Sequence, residues 1–264
     1  WSAELAHLLG EVEKRAYADR AMYMADSDFV PVPVEGLLDK EYLSTRAAEI
    51  DLNKAGAKAK AGIPPGAEQL KLAASLNPSN VGTSHFVIRD AYGNAISMTT
   101  TIESGFGSRV FVRGFLLNNE LTDFDRQPMR DGRWVANRVE GGKRPRSSMS
   151  PTIVFRRNEP YLLVGSPGGS RIPGYVAKTL LAVLDLNMDP QRAINLGHIV
   201  HRNLTSFDVE KGSDAETLAP ELAMKGHKVK ARKMPSGIHA ILINRDGSMR
   251  GGADGRREGV VMGE

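Results

Sequence analysis

The spacing of apolar residues changes at Thr83, and that change constrains the fold more than any single motif. Upstream, Leu5, Leu8, Leu9, Val12, Ala16 and Met22 recur at mostly helical spacing with charges between them, which predicts an amphipathic helix over residues 1 to 24. Residues 26 to 33 and Gly36-Leu37-Leu38 predict an irregular crossing, residues 39 to 50 a second helix, and the Ala-, Lys-, Gly- and Pro-rich run 54 to 79 a loosely held linker. From Thr83 the period becomes two: residues 84 to 89 and 94 to 101 are strand-like and flank Asp90-Ala91-Tyr92-Gly93, a hairpin signal.

A further strand is predicted over 114 to 117, and residues 152 to 155 pair with 161 to 164 across Arg157-Asn158-Glu159-Pro160. Helices follow at 172 to 186 and 190 to 196, then a strand at 206 to 210, a helix at 215 to 225, strands at 229 to 231 and 238 to 244, and a short strand after Arg245-Asp246-Gly247. Two groups of strands with helices grouped after each predict two packed sheets covered by helices, in the α+β class.

At 264 residues and 41% hydrophobic content, the chain can bury a substantial core as one large domain or two small ones. Its 35 Lys and Arg against 31 Asp and Glu give a thinly spread charge of +4, and the densest basic stretch, 225 to 233, alternates like a strand with one solvated face. No aromatic residues interleave with that charge, so no nucleic-acid partner is expected. The absence of cysteine excludes disulfides, thiol nucleophiles and Cys-ligated metals. No run of about 18 apolar residues predicts a membrane span. The chain opens at Trp1 in what reads as the middle of a helix, which suggests a fragment or a processed product.

Gly82-Thr83 carries the first chemical signal. A threonine hydroxyl is a weak nucleophile until a base takes its proton, and a threonine freed at a chain end carries that base as its own α-amine, of intrinsic pKa about 7.7 to 8.0. Gly82 lacks a Cβ and lets the hydroxyl approach the preceding carbonyl, so the chain could cut itself there. Taken alone, Thr83 is also an ordinary β-branched opening of a strand.

Gly165-Ser166-Pro167-Gly168-Gly169-Ser170-Arg171 follows a predicted strand and precedes a predicted helix. Gly168 and Gly169 there could offer backbone N–H groups to an oxyanion, or simply make a tight turn. The Walker phosphate-loop pattern is absent, and so is the nucleophile elbow, because Val164 stands two residues before Ser166.

Arg144-Pro145-Arg146-Ser147-Ser148-Met149-Ser150-Pro151-Thr152 holds two adjacent hydroxyls that could donate to a carboxylate. Asn118-Asn119-Glu120-Leu121-Thr122-Asp123-Phe124 has the opposite polarity: Glu120 and Asp123 could hold an ammonium, or the segment is a capped turn. His198 and His201 lack a third ligand of suitable spacing and read as structural. The Asp254-Gly255-Arg256-Arg257-Glu258-Gly259 segment reads as a solvated turn or a packing brace.

In their order along the chain, Thr83-Ser84-His85-Phe86, Asn118 to Phe124, Arg144 to Thr152 and Gly165 to Arg171 resemble the motifs of the γ-glutamyltranspeptidase, or glutathione hydrolase, family. Residues 83–264 resemble its small subunit and residues 1–82 the C-terminal part of its large subunit, the two making one joint globular domain. The resemblance implies an N-terminal-nucleophile hydrolase fold, a four-layer αββα sandwich, in a zymogen matured by cleavage between Gly82 and Thr83. It further implies Thr83 as nucleophile, Thr101 as its supporting hydroxyl, and Gly168 and Gly169 as the oxyanion hole. Ser147 and Ser148 would hold the donor's α-carboxylate, and Glu120 with Asp123 its α-amine.

The implied partners are glutathione or another γ-glutamyl donor, an amino acid, peptide or water as acceptor, and a missing N-terminal segment of the large subunit. No cofactor or metal is implied, and relatives are often periplasmic or secreted. Two departures stand out. Glu103 occupies the place of an asparagine near the substrate amine, and the family's carboxylate-binding arginine belongs to a region upstream of Trp1. Two alternatives remain: a cephalosporin or glutaryl acylase on the same scaffold, and an unprocessed, non-catalytic homologue.

Overall fold

The computed structural model describes residues 1–76 and 82–263, so the last residues of the predicted linker, 77 to 79, lie outside it. The chain begins with helix α1 (Ala3–Tyr23), whose first turn is capped by the Ser2 hydroxyl accepting from the Leu5 N–H at 3.2 Å. Short helix α2 (Val34–Leu38) lies within the predicted irregular crossing, and α3 (Lys40–Ala48) is capped by Asp39. Most of the linker is irregular, ending in the two-residue strand β1 (Leu72–Ala73).

Strands β2 (Thr83–Arg89) and β3 (Ala95–Thr101) form the expected hairpin. The single strand predicted at 114 to 117 is instead the second arm of a small hairpin, β4 (Phe111–Val112) and β5 (Phe115–Leu116). Strands β6 (Met129–Arg130) and β7 (Arg133–Val135) escape sequence reading because each is too short to show a period. Strands β8 (Thr152–Arg156) and β9 (Glu159–Gly165) are longer than expected: the turn contracts to Arg157-Asn158, both at positive φ, so Glu159 and Pro160 join the ladder.

Helices α4 (Ile172–Leu184) and α5 (Pro190–Asn195) follow, then β10 (Ile199–Val200) and β11 (Phe207–Glu210). A 3-10 turn (Asp214–Leu218) opens into α6 (Ala219–Met224) where one helix was predicted, and β12 (Val229–Arg232), β13 (His239–Ile243) and β14 (Met249–Ala253) complete the chain.

The central sheet has the order β14-β13-β9-β8. One face meets α4 and α5 through a core that includes Leu162, Val164, Tyr175, Val176, Ile194 and Ile238, all buried. The β2–β3 hairpin lies across the opposite face, with Ser97 Oγ donating to the Val164 carbonyl at 3.2 Å and the His85 ring seated against Gly165. A Cβ on Gly165 would fall 2.2 Å from that ring, so the close approach of the layers requires glycine.

A second sheet, β10-β11-β12, packs on α1 through Ala6, Ile199, Phe207 and Val209. Strand alternation leaves Phe86, Ile88, Ile96 and Met98 on the outer face of the β2–β3 hairpin, where they are 38, 49, 48 and 45% exposed. The described residues therefore make hairpin, sheet and helix layers of an α+β protein, with an apolar outer hairpin face. No helix among the described residues is long and apolar enough to cross a membrane.

Candidate active site

Antiparallel pairing puts Thr83, the first residue of β2, opposite Thr101, the last of β3, and their hydroxyl oxygens lie 3.0 Å apart. Both Thr83 and its neighbouring inward residue His85 are buried. Thr101 Oγ1 accepts the Glu103 N–H at 2.9 Å and donates to the Gly82 carbonyl at 3.3 Å, while the Ile102 N–H reaches the same carbonyl at 3.2 Å. The carbonyl before Thr83 thus carries two donors, the arrangement that stabilises charge developing on that oxygen. On the other side, Arg257 Nη1 donates to the Thr83 carbonyl at 3.0 Å, so the 254–259 segment is a packing brace and not a free turn.

Beyond β3 the chain turns at Glu103, whose φ of 71° is unusual for a residue with a side chain. The turn brings Glu103 to the 3-10 turn Glu120–Asp123, and carboxylate oxygens of Glu103, Glu120 and Asp123 lie within 4.8 Å of one another. Burial, reinforced by the neighbouring Glu103, pushes the Asp123 carboxyl up to about 8, and burial followed by Glu103 raises Glu120. Three carboxyls this close, those of Glu103 and Asp123 buried and that of Glu120 half-buried, retain a proton unless a cation joins them. An ammonium suits the site, and the donor set would also suit a hard metal ion.

The opposite wall is the 147–149 loop. Ser147 Oγ accepts the Met149 N–H at 3.2 Å, and Ser148 Oγ accepts from Arg20 Nη2 at 2.6 Å. Sequence reasoning missed Arg20 because nothing local links α1 to a loop 128 residues away. The third wall is the turn from β9 into α4, where Gly168 and Gly169 adopt φ of 141° and 58°. A Cβ on Gly168 would fall 2.5 Å from the Tyr175 ring. Arg171, joined to Asp208 at 2.7 Å, and Arg202, bonded to Ser170 Oγ at 2.7 Å, fasten this turn to β11.

One cleft gathers Thr83, Thr101, Glu103, Glu120, Asp123, Ser147, Ser148 and Gly169. Met149 and Ile172, not singled out from sequence, also line it, and Gly168 stands one residue behind Gly169. His198 and His201 do not join it: His198 Nε2 meets Ser236 Oγ at 2.6 Å, and His201 packs on Phe207. A second cluster, His7, Glu11 and His227, has metal-ligating types, but Glu11 already pairs with Lys14 at 2.6 Å and Arg15 at 3.0 Å, and the two histidines bond each other at 2.7 Å. It is a satisfied packing network.

The model of the gamma-glutamyltranspeptidase family matches residues 1–264. The chain belongs to the gamma-glutamyltranspeptidase family. A glutathione hydrolase proenzyme of Bacillus subtilis strain 168 is 38% identical over 271 residues, covering 99% of this chain and 45% of that protein. The acylase ACY 1 proenzyme of Pseudomonas sp. strain SE83 is more distant, at 32% identity over 266 residues, 99% of this chain and 44% of that protein. Among solved structures, the gamma-glutamyltranspeptidase of Pseudomonas nitroreducens complexed with L-DON superposes with a TM-score of 0.62 at 35% identity, covering 69% of this chain and 99% of that chain.

The α+β layers are thus those of the N-terminal-nucleophile hydrolase fold that this gamma-glutamyltranspeptidase family shares. The chain spans about half the length of the curated relatives it matches.

Proposed function

We propose that this chain cuts itself between Gly82 and Thr83 and that the freed Thr83 transfers γ-glutamyl groups to water or to an acceptor amine. The observation that carries this reading is the cleft at Thr83, with an acidic wall at Glu103, Glu120 and Asp123 facing hydroxyl donors at Ser147 and Ser148. An α-amino acid presents the complementary pair of charges, so both of its ends find partners.

In the first reaction Thr83 Oγ attacks the Gly82 carbonyl carbon, with the Ile102 N–H and the Thr101 hydroxyl holding the oxyanion. As the peptide C–N bond breaks, the Thr83 hydroxyl proton passes to the departing nitrogen, leaving an ester on Thr83 Oγ and a free α-amine; water then hydrolyses the ester, restoring the hydroxyl and releasing Gly82 as a carboxylate. In the second, that amine takes the Thr83 hydroxyl proton as the oxygen attacks the donor's γ-amide carbonyl. Backbone N–H groups at Gly168 and Gly169, next to the start of α4, stabilise the oxyanion. The leaving amine departs with a proton, and water or an acceptor amine resolves the γ-glutamyl ester.

Residues 1–82 and 83–264 would then be two chains of one globular unit, with α1 remaining packed on β10–β12. A further segment of the family's large subunit would cover the apolar hairpin face of Phe86, Ile88, Ile96 and Met98 and add an arginine to the carboxylate end. A glutaryl acylase would not need the three-carboxylate wall, because a glutaryl group has no amine. An unprocessed, non-catalytic homologue would keep Thr83 amide-blocked.

The test is prolonged incubation of the full chain with N-terminal sequencing, followed by assay of γ-glutamyl and glutaryl anilides. A new end reading Thr-Ser-His-Phe and preference for the γ-glutamyl donor are expected. Preference for the glutaryl donor selects the acylase, and absence of the new end selects the unprocessed form.

A further inference from the structure

One face of α1 touches three parts of the catalytic half in succession. Glu13, Tyr17 and Arg20 are spaced by four and three residues, so they project from the same stripe of the helix. Glu13 accepts the His201 N–H at 2.6 Å, Tyr17 donates to the Ser170 carbonyl beside the glycine turn, and Arg20 Nη2 donates to Ser148 Oγ at 2.6 Å. Arg146 Nη1 in turn donates to the Arg20 carbonyl at 3.3 Å, which ties this part of the helix to the serine loop a second time.

Ser147, Ser148 and Met149 form a partition. One side lines the cleft at Thr83, and the other lines a cavity of ≈ 450 Å³ between α1, α2 and α3 that also contains Arg20. Arg20 therefore approaches Ser148 from behind. A guanidinium has donors and no acceptor, so in this bond Ser148 Oγ accepts. Among the described residues, that is the one hydrogen bond the Ser148 hydroxyl makes, although the residue is 5% exposed. The hydroxyl proton remains available to point through the partition into the cleft.

We infer that Arg20 is a positioning residue for the donor's carboxylate: by occupying a lone pair of Ser148 from behind, it commits that hydroxyl to donate forward. Its charge, one hydrogen bond removed, strengthens the donation without entering the cleft. This rests on the proposed reading of Ser148 as a carboxylate-binding group. The effect is selective, because a donor that lacks the α-carboxylate gives Ser148 nothing to donate to.

The test compares three p-nitroanilides on the processed full chain: γ-glutamyl, glutaryl (no amine) and 4-aminobutyryl (no α-carboxylate). Ser148→Ala first tests the underlying reading; it should raise KM for the first two donors and spare the third, and equal losses on all three would overturn that reading and the inference with it. Arg20→Gln should then raise KM for the two carboxylate-bearing donors by roughly tenfold to a hundredfold, the range of a charge-assisted hydrogen bond, with kcat little changed. Arg20→Lys, which keeps a charged donor and guards against a folding defect, should show the same selectivity at smaller size.

In the Ser148→Ala background, Arg20→Gln should add almost nothing. If Ser148→Ala is selective but the Arg20 variants lower activity equally on all three donors, Arg20 serves packing alone and the inference fails while the Ser148 reading stands.

Discussion

A Cβ on Gly82 would come to rest 2.4 Å from the carbonyl oxygen of Glu103. The backbone leaving β3 therefore passes directly over the residue before Thr83, and Gly82 is a steric requirement of the same turn that supplies the Ile102 N–H to the Gly82 carbonyl. Gly82→Ala is expected to push that carbonyl off both of its donors and slow self-cleavage by about tenfold or more, followed as loss of the full-length band over time. Cleavage at the parental rate would show that the two donors do not act on the scissile carbonyl.

Thr101→Ala removes one of those donors and the hydroxyl partner of Thr83 together. Cleavage should slow by roughly 10²-fold, the scale on which single oxyanion donors act. Thr83→Ala should abolish it, whereas Thr83→Ser should retain it at reduced rate; mass spectrometry of each purified variant reads all three outcomes. Normal cutting in Thr83→Ala would remove Thr83 from the chemistry.

In the proposed reading, Asp123 should make binding of an amine-bearing ligand depend on pH with a definite sign. Its carboxyl, raised to about 8, holds a proton in the empty site at neutral pH, whereas the unfolded chain has lost that proton above about 4. Between those values the folded state binds more protons, so this group's contribution to stability falls as pH rises through the window and levels off above about 8. An amine-bearing ligand must displace the proton, so its affinity should climb with pH up to about 8, measured by calorimetry on a catalytically dead Thr83→Ala protein. Glu103→Asn, which removes the nearest like charge, should move that limb to lower pH, and glutarate should show no such limb.

Asp208 receives Arg171 at 2.7 Å, Arg232 at 2.9 Å and Arg202 at 3.5 Å, and these partners outweigh burial to hold its carboxyl below the usual range. A depressed pKa contributes stability above about 4 that is lost as pH falls through the folded value. Asp208→Asn should cost about 3 kcal/mol at neutral pH in chemical denaturation. Because Arg171 and Arg202 also fasten the glycine turn, kcat should fall more than KM rises. A variant with native turnover would uncouple that network from the proposed oxyanion role of the glycine turn.

Local signals in the sequence located both the hairpin that begins at Thr83 and the strand-to-helix turn at Gly168-Gly169, because each is encoded by a period or by glycines within ten residues. The polar loops around Glu120 and Ser148 were legible by composition, although only folding brings them into one cleft. Arg20 and Arg257 were not legible as neighbours of the site. Each acts on a residue more than 100 positions away, and neither carries a periodic or turn signal that tells such a guanidinium from a solvated one. Strands β6 and β7 were missed for the complementary reason, since two or three residues cannot establish an alternation.

Arg257 spans from the Pro235 carbonyl, through its Nη2, to the Thr83 carbonyl, through its Nη1. The first peptide unit of β2 is thereby moored from behind, on the side away from the bond proposed to break. An amine born at Thr83 would have no distance to travel and no search to perform: it would appear already berthed beside the oxygen it must deprotonate. A turn near residue 257 that supplies no reacting atom would in this way decide where a new chain terminus comes to rest.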